Sequence, residues 1–146
     1  MNILFVCTGN TCRSPMAAGL MNKIAIEEDL DVRIESAGLF AAEGSPASDE
    51  AIEAMKKYDV DFSDHRAKQI TPELIEKCDV RLTMTAAQKM LLAEVAADKT
   101  YTLCEYAGTE GDIADPFGGD LEEYEEVAQM IYFALQSISE KLNNEK

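Results

Sequence analysis

A cysteine, five intervening residues and an arginine, Cys7-Thr8-Gly9-Asn10-Thr11-Cys12-Arg13 followed by Ser14, form a set that can seize and attack a phosphate group. A phosphate presents peripheral oxygens and a phosphorus atom open from behind. The amides of a tight turn can bind the oxygens as an anion nest. Arg13 adds a planar, permanently charged fork that grips two oxygens at once, which Lys cannot do. Cys7 beneath the phosphorus is the candidate nucleophile, and Ser14 carries a hydroxyl able to donate to its sulfur. Taken alone, Cys7 also fits an inert cysteine at a buried strand end. Arg13-Ser14-Pro15 at this spacing favours the reactive reading.

These residues need a scaffold, and the flanking sequence supplies one. Ile3-Leu4-Phe5-Val6 reads as a buried strand, and Pro15-Met16-Ala17-Ala18-Gly19-Leu20 as the first turns of a helix. Ser14 then serves as N-cap and Pro15 as N1. The loop falls where a helix dipole presents its positive end, a field that binds anions and favours a cysteine thiolate. Further strands are expected near residues 32–36, 79–83 and 100–103, with the first near 2–6. Helices are expected near 15–28, 48–58, 72–77, 86–96 and 120–143. Thr71-Pro72 is a helix start, Thr85 with Gln88 a capping box, and Asp120 with Glu123 an acidic variant of it. Leu121, Tyr124, Ala128, Ile131, Leu135, Ile138 and Leu142 recur at steps of three and four, one apolar stripe that docks onto a core. Glu122, Glu123, Glu125 and Glu126 form a solvated face around it. Strand–helix alternation predicts a doubly wound α/β fold, mainly a four-stranded parallel sheet with helices on both faces. Ligands of such sheets sit beyond the carboxyl ends of the strands, where Cys7 falls.

Composition bounds the remaining possibilities. A chain of 146 residues predicts one domain, 1–146, with a real core. Met1-Asn2 leads into a short strand without a basic leader, and no apolar run is long enough to span a bilayer. Four cysteines without secretory features point to a reducing cytoplasm, where thiols serve chemistry. A formal charge of −15 argues against nucleic acid as a partner and requires strong local positive potential at any phosphate site. No metal-ligand spacing is present, and neither a metal nor a cofactor is expected.

The run VCTGNTCRSP resembles the signature loop of the low-molecular-weight protein tyrosine phosphatase family. Glu35-Ser36-Ala37-Gly38 resembles its S-A-G element, Asp64-His65-Arg66-Ala67-Lys68-Gln69 its histidine segment, and Asp115-Pro116-Phe117 its D-P loop. These elements occur in the family's order and span essentially the whole chain. By itself Asp115, between Ala114 and Pro116-Phe117-Gly118-Gly119, reads as an ordinary turn aspartate. The resemblance implies that it protonates the leaving group and then activates the water that hydrolyses a phosphocysteine on Cys7. It further implies that Ser36 and His65 support the loop through Asn10, and that Cys12 forms a disulfide with Cys7 under peroxide. Cys78 and Cys104 receive no function.

Within the resemblance, Thr11 bears on the substrate. Tyrosine-directed members carry Ile or Leu at this place in the loop, whereas C-T-G-N-T-C-R-S is similar to the loop of the bacterial protein arginine phosphatases. Phe117-Gly118-Gly119 after the D-P pair points the same way. A planar, polar phosphoguanidinium wants an acceptor and less bulk than a phenyl ring, and Thr11 offers both. Thr11 as mere filler of the loop remains open. The expectation is a monomeric cytoplasmic phosphatase acting on phosphoarginine in proteins. The alternatives are a tyrosine phosphatase with the same catalytic groups, an arsenate reductase, or a phosphate-binding module without turnover. An arsenate reductase needs a closely spaced cysteine pair that Cys78 and Cys104 do not provide. A pure binding module has no use for Asp115.

Overall fold

A computed structural model describes residues 1–145. In chain order they form β1 (Asn2–Cys7), α1 (Arg13–Glu27), β2 (Arg33–Gly38), α2 (Asp49–Met55) with a 3₁₀ turn at Lys56–Tyr58, α3 (Pro72–Lys77), β3 (Val80–Thr83), α4 (Ala86–Ala96), β4 (Thr100–Thr102), α5 (Leu103–Tyr106) and α6 (Leu121–Asn144). The strands make one parallel sheet in the order β2-β1-β3-β4. Cys7 pairs with Gly38, Val6 with Thr83, and Thr83 with Thr102, so all four strands end at the same edge.

Side chains alternate across a strand, and β1 is central, so both its faces must be apolar. Ile3, Phe5 and Cys7 join the larger core, built with α1, α2 and α6. Leu4 and Val6 face the opposite side with Ala37 and Leu92, where α3 and α4 pack. On α6, Tyr124, Ala128, Ile131, Leu135, Ile138 and Leu142 are buried. Leu121, expected in this stripe, is exposed in the first turn, so the buried face begins at Tyr124.

The caps explain where most helices begin. Thr71 Oγ1 accepts from Leu74 N with Pro72 at N1. Thr85 and Gln88 cap reciprocally, and Asp120 Oδ1 accepts from Glu123 N. Two expectations need correction. The segment 100–103 is not all strand: β4 stops at Thr102, whose hydroxyl accepts from Glu105 N while Glu105 Oε1 accepts from Thr102 N, and this box starts α5. Ser14 is not an N-cap either. Helix α1 begins at Arg13 with Cys12 as cap residue, no side chain caps it, and Met16 N donates to Cys12 O. Pro15 therefore sits within the first turn, where a missing N–H loses no helical bond. The Ser14 hydroxyl is freed from the backbone for another partner.

Candidate active site

The turn joining β1 to α1 wraps around the Cys7 sulfur. Cys7 Sγ lies 2.9 Å from Ser14 Oγ, and Asn10 N donates to it at 3.3 Å. Asn10 has φ 58°, a left-handed conformation that asparagine tolerates, and this brings its amide back toward the sulfur. The Asn10 side chain is wholly buried and fully committed. Its Oδ1 accepts from Lys68 N at 3.0 Å, which fixes the orientation of the carboxamide. Its Nδ2 then donates to Ser14 Oγ at 2.8 Å and to Ser36 Oγ at 3.0 Å. Because Ser14 Oγ accepts from Asn10, its own proton is available to donate to a Cys7 thiolate.

Neighbouring elements draw the loop's carbonyls outward. Thr8 O accepts from Phe40 N at 2.9 Å, Asn10 O from His65 Nε2 at 2.7 Å, and Thr11 O from Ser48 N at 3.0 Å. In a trans peptide the following N–H points opposite to its carbonyl. The amides of Gly9, Thr11 and Cys12 are thereby aimed into the loop, the geometry of an anion nest. Gly38, at the end of β2, lets this loop approach: a Cβ there would lie 2.7 Å from Thr8 O and 3.1 Å from Asn10 N.

Arg13 is buried and reaches across to a distant segment. Its Nη1 donates to Ile113 O at 2.9 Å, and Ile113 N in turn donates to Met84 O just beyond β3. Its Nη2 lies 3.6 Å from Asp115 Oδ2. Among the described residues, Arg13 Nε is the one buried side-chain nitrogen or oxygen without a hydrogen-bond partner. Orphaned buried donors are rare and costly, and a bound oxyanion would satisfy this one. Asp115 is about half exposed, with Oδ1 accepting from Phe117 N at 3.0 Å in an Asx turn. Cys12 Sγ lies 4.0 Å from that same oxygen. Burial, with the charge of Cys7 as the next contribution, pushes the Cys12 thiol up to about 11. Cys12 is thus a protonated neighbour at neutral pH.

The structure therefore gathers Cys7, Thr8, Gly9, Asn10, Thr11, Cys12, Arg13, Ser14, Ser36, His65 and Asp115 about one loop. Thr11 is half-buried, and Phe117 stands exposed beside Asp115. Two neighbours of the loop escaped the sequence reading. Phe40, 72 % exposed and tied to Thr8 through its backbone, is signalled by an aromatic within a small-residue loop. Gln88 was read as a cap only, yet its Nε2 reaches Thr8 Oγ1 at 3.1 Å. Cys78 lies elsewhere, donating to Ile75 O, and Cys104 is buried on α5. Among the described residues no three His, Cys, Asp or Glu side chains are placed to hold a metal ion, and no helix is long and apolar enough to cross a membrane.

Residues 2–146 match the family model described as low molecular weight phosphotyrosine protein phosphatase. A protein-arginine-phosphatase of Geobacillus stearothermophilus is 43% identical over 148 residues, covering 99% of this chain and 97% of the relative. A protein-arginine-phosphatase of Bacillus subtilis is 39% identical over 150 residues, covering 100% and 99%. Among solved structures, the YwlE arginine phosphatase in a Cys-to-Ser variant with a phosphorylated active-site serine superposes with a TM-score of 0.96 at 38% identity, covering 100% of this chain and 98% of that one.

Proposed function

Because this chain belongs to the low molecular weight phosphotyrosine protein phosphatase family, we propose that its loop removes the phosphoryl group from phosphoarginine in proteins through a phosphocysteine on Cys7. The observation that carries the reading is the pairing of a hydrogen-bonded sulfur with an unpartnered guanidinium N–H. Cys7 Sγ sits between Ser14 Oγ and Asn10 N, and Arg13 Nε lies buried without a partner on the same turn.

The chemistry proceeds in two displacements. In the first, Cys7 Sγ attacks phosphorus, the S–P bond forms and the P–N bond breaks. Asp115 gives its proton to the departing guanidino nitrogen. Arg13 and the inward amides of Gly9, Thr11 and Cys12 hold the equatorial oxygens, where charge builds in the transition state. In the second, Asp115 takes a proton from water as its oxygen attacks phosphorus. The S–P bond breaks, phosphate leaves, and the sulfur departs as a thiolate stabilised by Ser14. Asn10, Ser36 and His65 act through the loop, keeping its shape while touching no reacting atom.

Thr11 and Phe117 set the preference for arginine. Thr11 presents a hydroxyl and little bulk beside the phosphate, and the exposed Phe117 ring can lie flat on a planar guanidinium. Phe40, whose N–H donates to Thr8 O, carries a second exposed ring. The acidic chain, at −15, fits a cationic guanidino group and disfavours nucleic acid. The protein works as a single-domain cytoplasmic monomer without metal or cofactor, and Cys12 guards Cys7 as its redox partner.

The test is release of inorganic phosphate from an arginine-phosphorylated protein. Wild type should turn over and Cys7→Ser should not, while Asp115→Asn should turn over far more slowly, and a quenched wild-type reaction should carry a phosphoryl group on Cys7 detectable by mass spectrometry. Turnover surviving Cys7→Ser would refute the mechanism.

A further inference from the structure

The Gln88 side chain is buried, 5% exposed, at the start of α4. Its Oε1 accepts from Met84 N at 2.9 Å and Thr85 N at 3.2 Å. Both partners are obligatory donors, so the carboxamide has only one orientation that works. That leaves Nε2 facing Thr8 Oγ1, to which it donates at 3.1 Å across 80 residues of sequence. Thr8 is the first residue after the nucleophile, and its carbonyl already accepts from Phe40 N. Thr8 is therefore clamped on two sides: by the β2–α2 loop through its backbone and by α4 through its side chain.

We infer that Gln88 is a positioning residue for phosphate binding, a latch that holds Thr8, and with it the amide of Gly9, in the anion-binding orientation. This inference rests on the reading of the loop as a phosphate site. It assigns to the β3–α4 turn a part in shaping the loop that capping of α4 alone does not require. A helix cap needs only the Oε1 half of the side chain, whereas the Nε2 half serves Thr8 alone. Gln88 acts through Thr8 and touches no reacting atom. Loss of the latch should let the loop sample orientations in which the Gly9 amide misses the oxyanion, so ligand affinity falls while the chemistry of Cys7 and Asp115 persists.

Binding of inorganic phosphate by titration calorimetry tests this without reference to substrate preference. Gln88→Met and Thr8→Val should each weaken phosphate binding about fivefold, the loss expected for one neutral hydrogen bond. The double variant should be no weaker than either single one, because both remove the same contact. In steady-state assays each should raise KM with kcat changed far less. Gln88→Met also strips acceptors from Met84 N and Thr85 N, so its melting temperature should fall further than that of Thr8→Val, which leaves that turn intact and unpairs only Gln88 Nε2. A lower melting temperature for Gln88→Met with unchanged phosphate affinity would overturn the latch and leave only a cap. Additive losses, about 25-fold in the double variant, would overturn it too. A wild type that fails to bind phosphate would overturn the site itself and this inference with it.

Discussion

Arg13 Nη2 and Asp115 Oδ2 lie 3.6 Å apart, the guanidinium buried and the carboxylate about half exposed. The proposed phosphate grip and the proposed proton donor are thus electrostatic partners before any substrate arrives. An incoming dianion would compete with Asp115 for Arg13 and free its carboxyl group to face the leaving nitrogen.

Replacing Asp115 separates these two roles. Asp115→Asn should lower kcat for a phosphoarginine peptide about 10²–10⁴-fold, the usual contribution of a positioned acid. Inorganic phosphate should bind at least as tightly as to wild type, because a negative neighbour of Arg13 is gone. Weaker phosphate binding in titration calorimetry would show that Asp115 shapes the loop.

Thr11→Ile tests the substrate preference. The change exchanges a hydroxyl for an ethyl group and extends the apolar face of the side chain. Wild type should prefer phosphoarginine over phosphotyrosine peptides by kcat/KM, and the variant should lose or invert that preference. A wild type that prefers phosphotyrosine and is indifferent to Thr11→Ile would place this chain among the tyrosine-directed enzymes.

Cys12 yields a prediction in redox and one in pH. Peroxide should oxidise Cys7 to the sulfenic acid, and the Cys12 thiol should then attack that sulfur, expelling water and closing a disulfide. After excess peroxide, activity should return with dithiothreitol in wild type but not in Cys12→Ser, where further peroxide carries the Cys7 sulfenic acid on to the sulfinic acid, and peptide mapping should find the Cys7–Cys12 link only in wild type. The thiol is raised from 9.0 in the unfolded chain to about 11 in the fold. The folded form therefore binds this proton more tightly, and the contribution is present in full below pH 9. It is lost as pH rises toward 11, to the extent of about 2–3 kcal/mol. Urea titrations of wild type and Cys12→Ala from pH 8 to 11 should show a smaller decline in the variant.

Gly38→Ala should damage the loop from behind. The added Cβ meets Thr8 O at 2.7 Å, a backbone atom that cannot rotate away. Overpacking of this kind costs about 1–3 kcal/mol, read as a lowered urea midpoint, together with a fall in phosphate affinity. Gly44 has open space around its Cβ position but a left-handed φ of 84°, so Gly44→Ala should cost stability without touching phosphate binding.

Much of this architecture was written in local sequence signals. The apolar run 3–6 reads as a strand buried on both faces, which β1 is, and the Cys7-to-Ser14 segment reads as the turn that leads from it into a helix. The stripe on α6 was legible because its period is long enough to measure. Helix α5 was not, since four residues carry no period and Tyr101 continues the appearance of a strand; only the Thr102-to-Glu105 cap box betrays it. Ser14-Pro15 has the local form of a helix start, yet Asn10 and Cys7 outbid the backbone for the hydroxyl. Gln88 shows the same limit from the other direction: its spacing to Thr85 reveals the cap, while its contact with Thr8 depends on how β1 and β3 are paired.

The bond from Arg13 to Ile113 spans 100 residues, and α6, which packs on α1, follows later still. A ribosome adding about 5–20 residues per second delivers the nucleophile first and must run for about 5–20 seconds before the partners of Arg13 emerge. During that interval the nascent chain carries the cysteine and arginine of the loop without Ile113 and Asp115, the partners of Arg13. A product truncated before Asp115 should therefore release far less phosphate from phosphoproteins than the whole chain, however well its first strand and helix have formed.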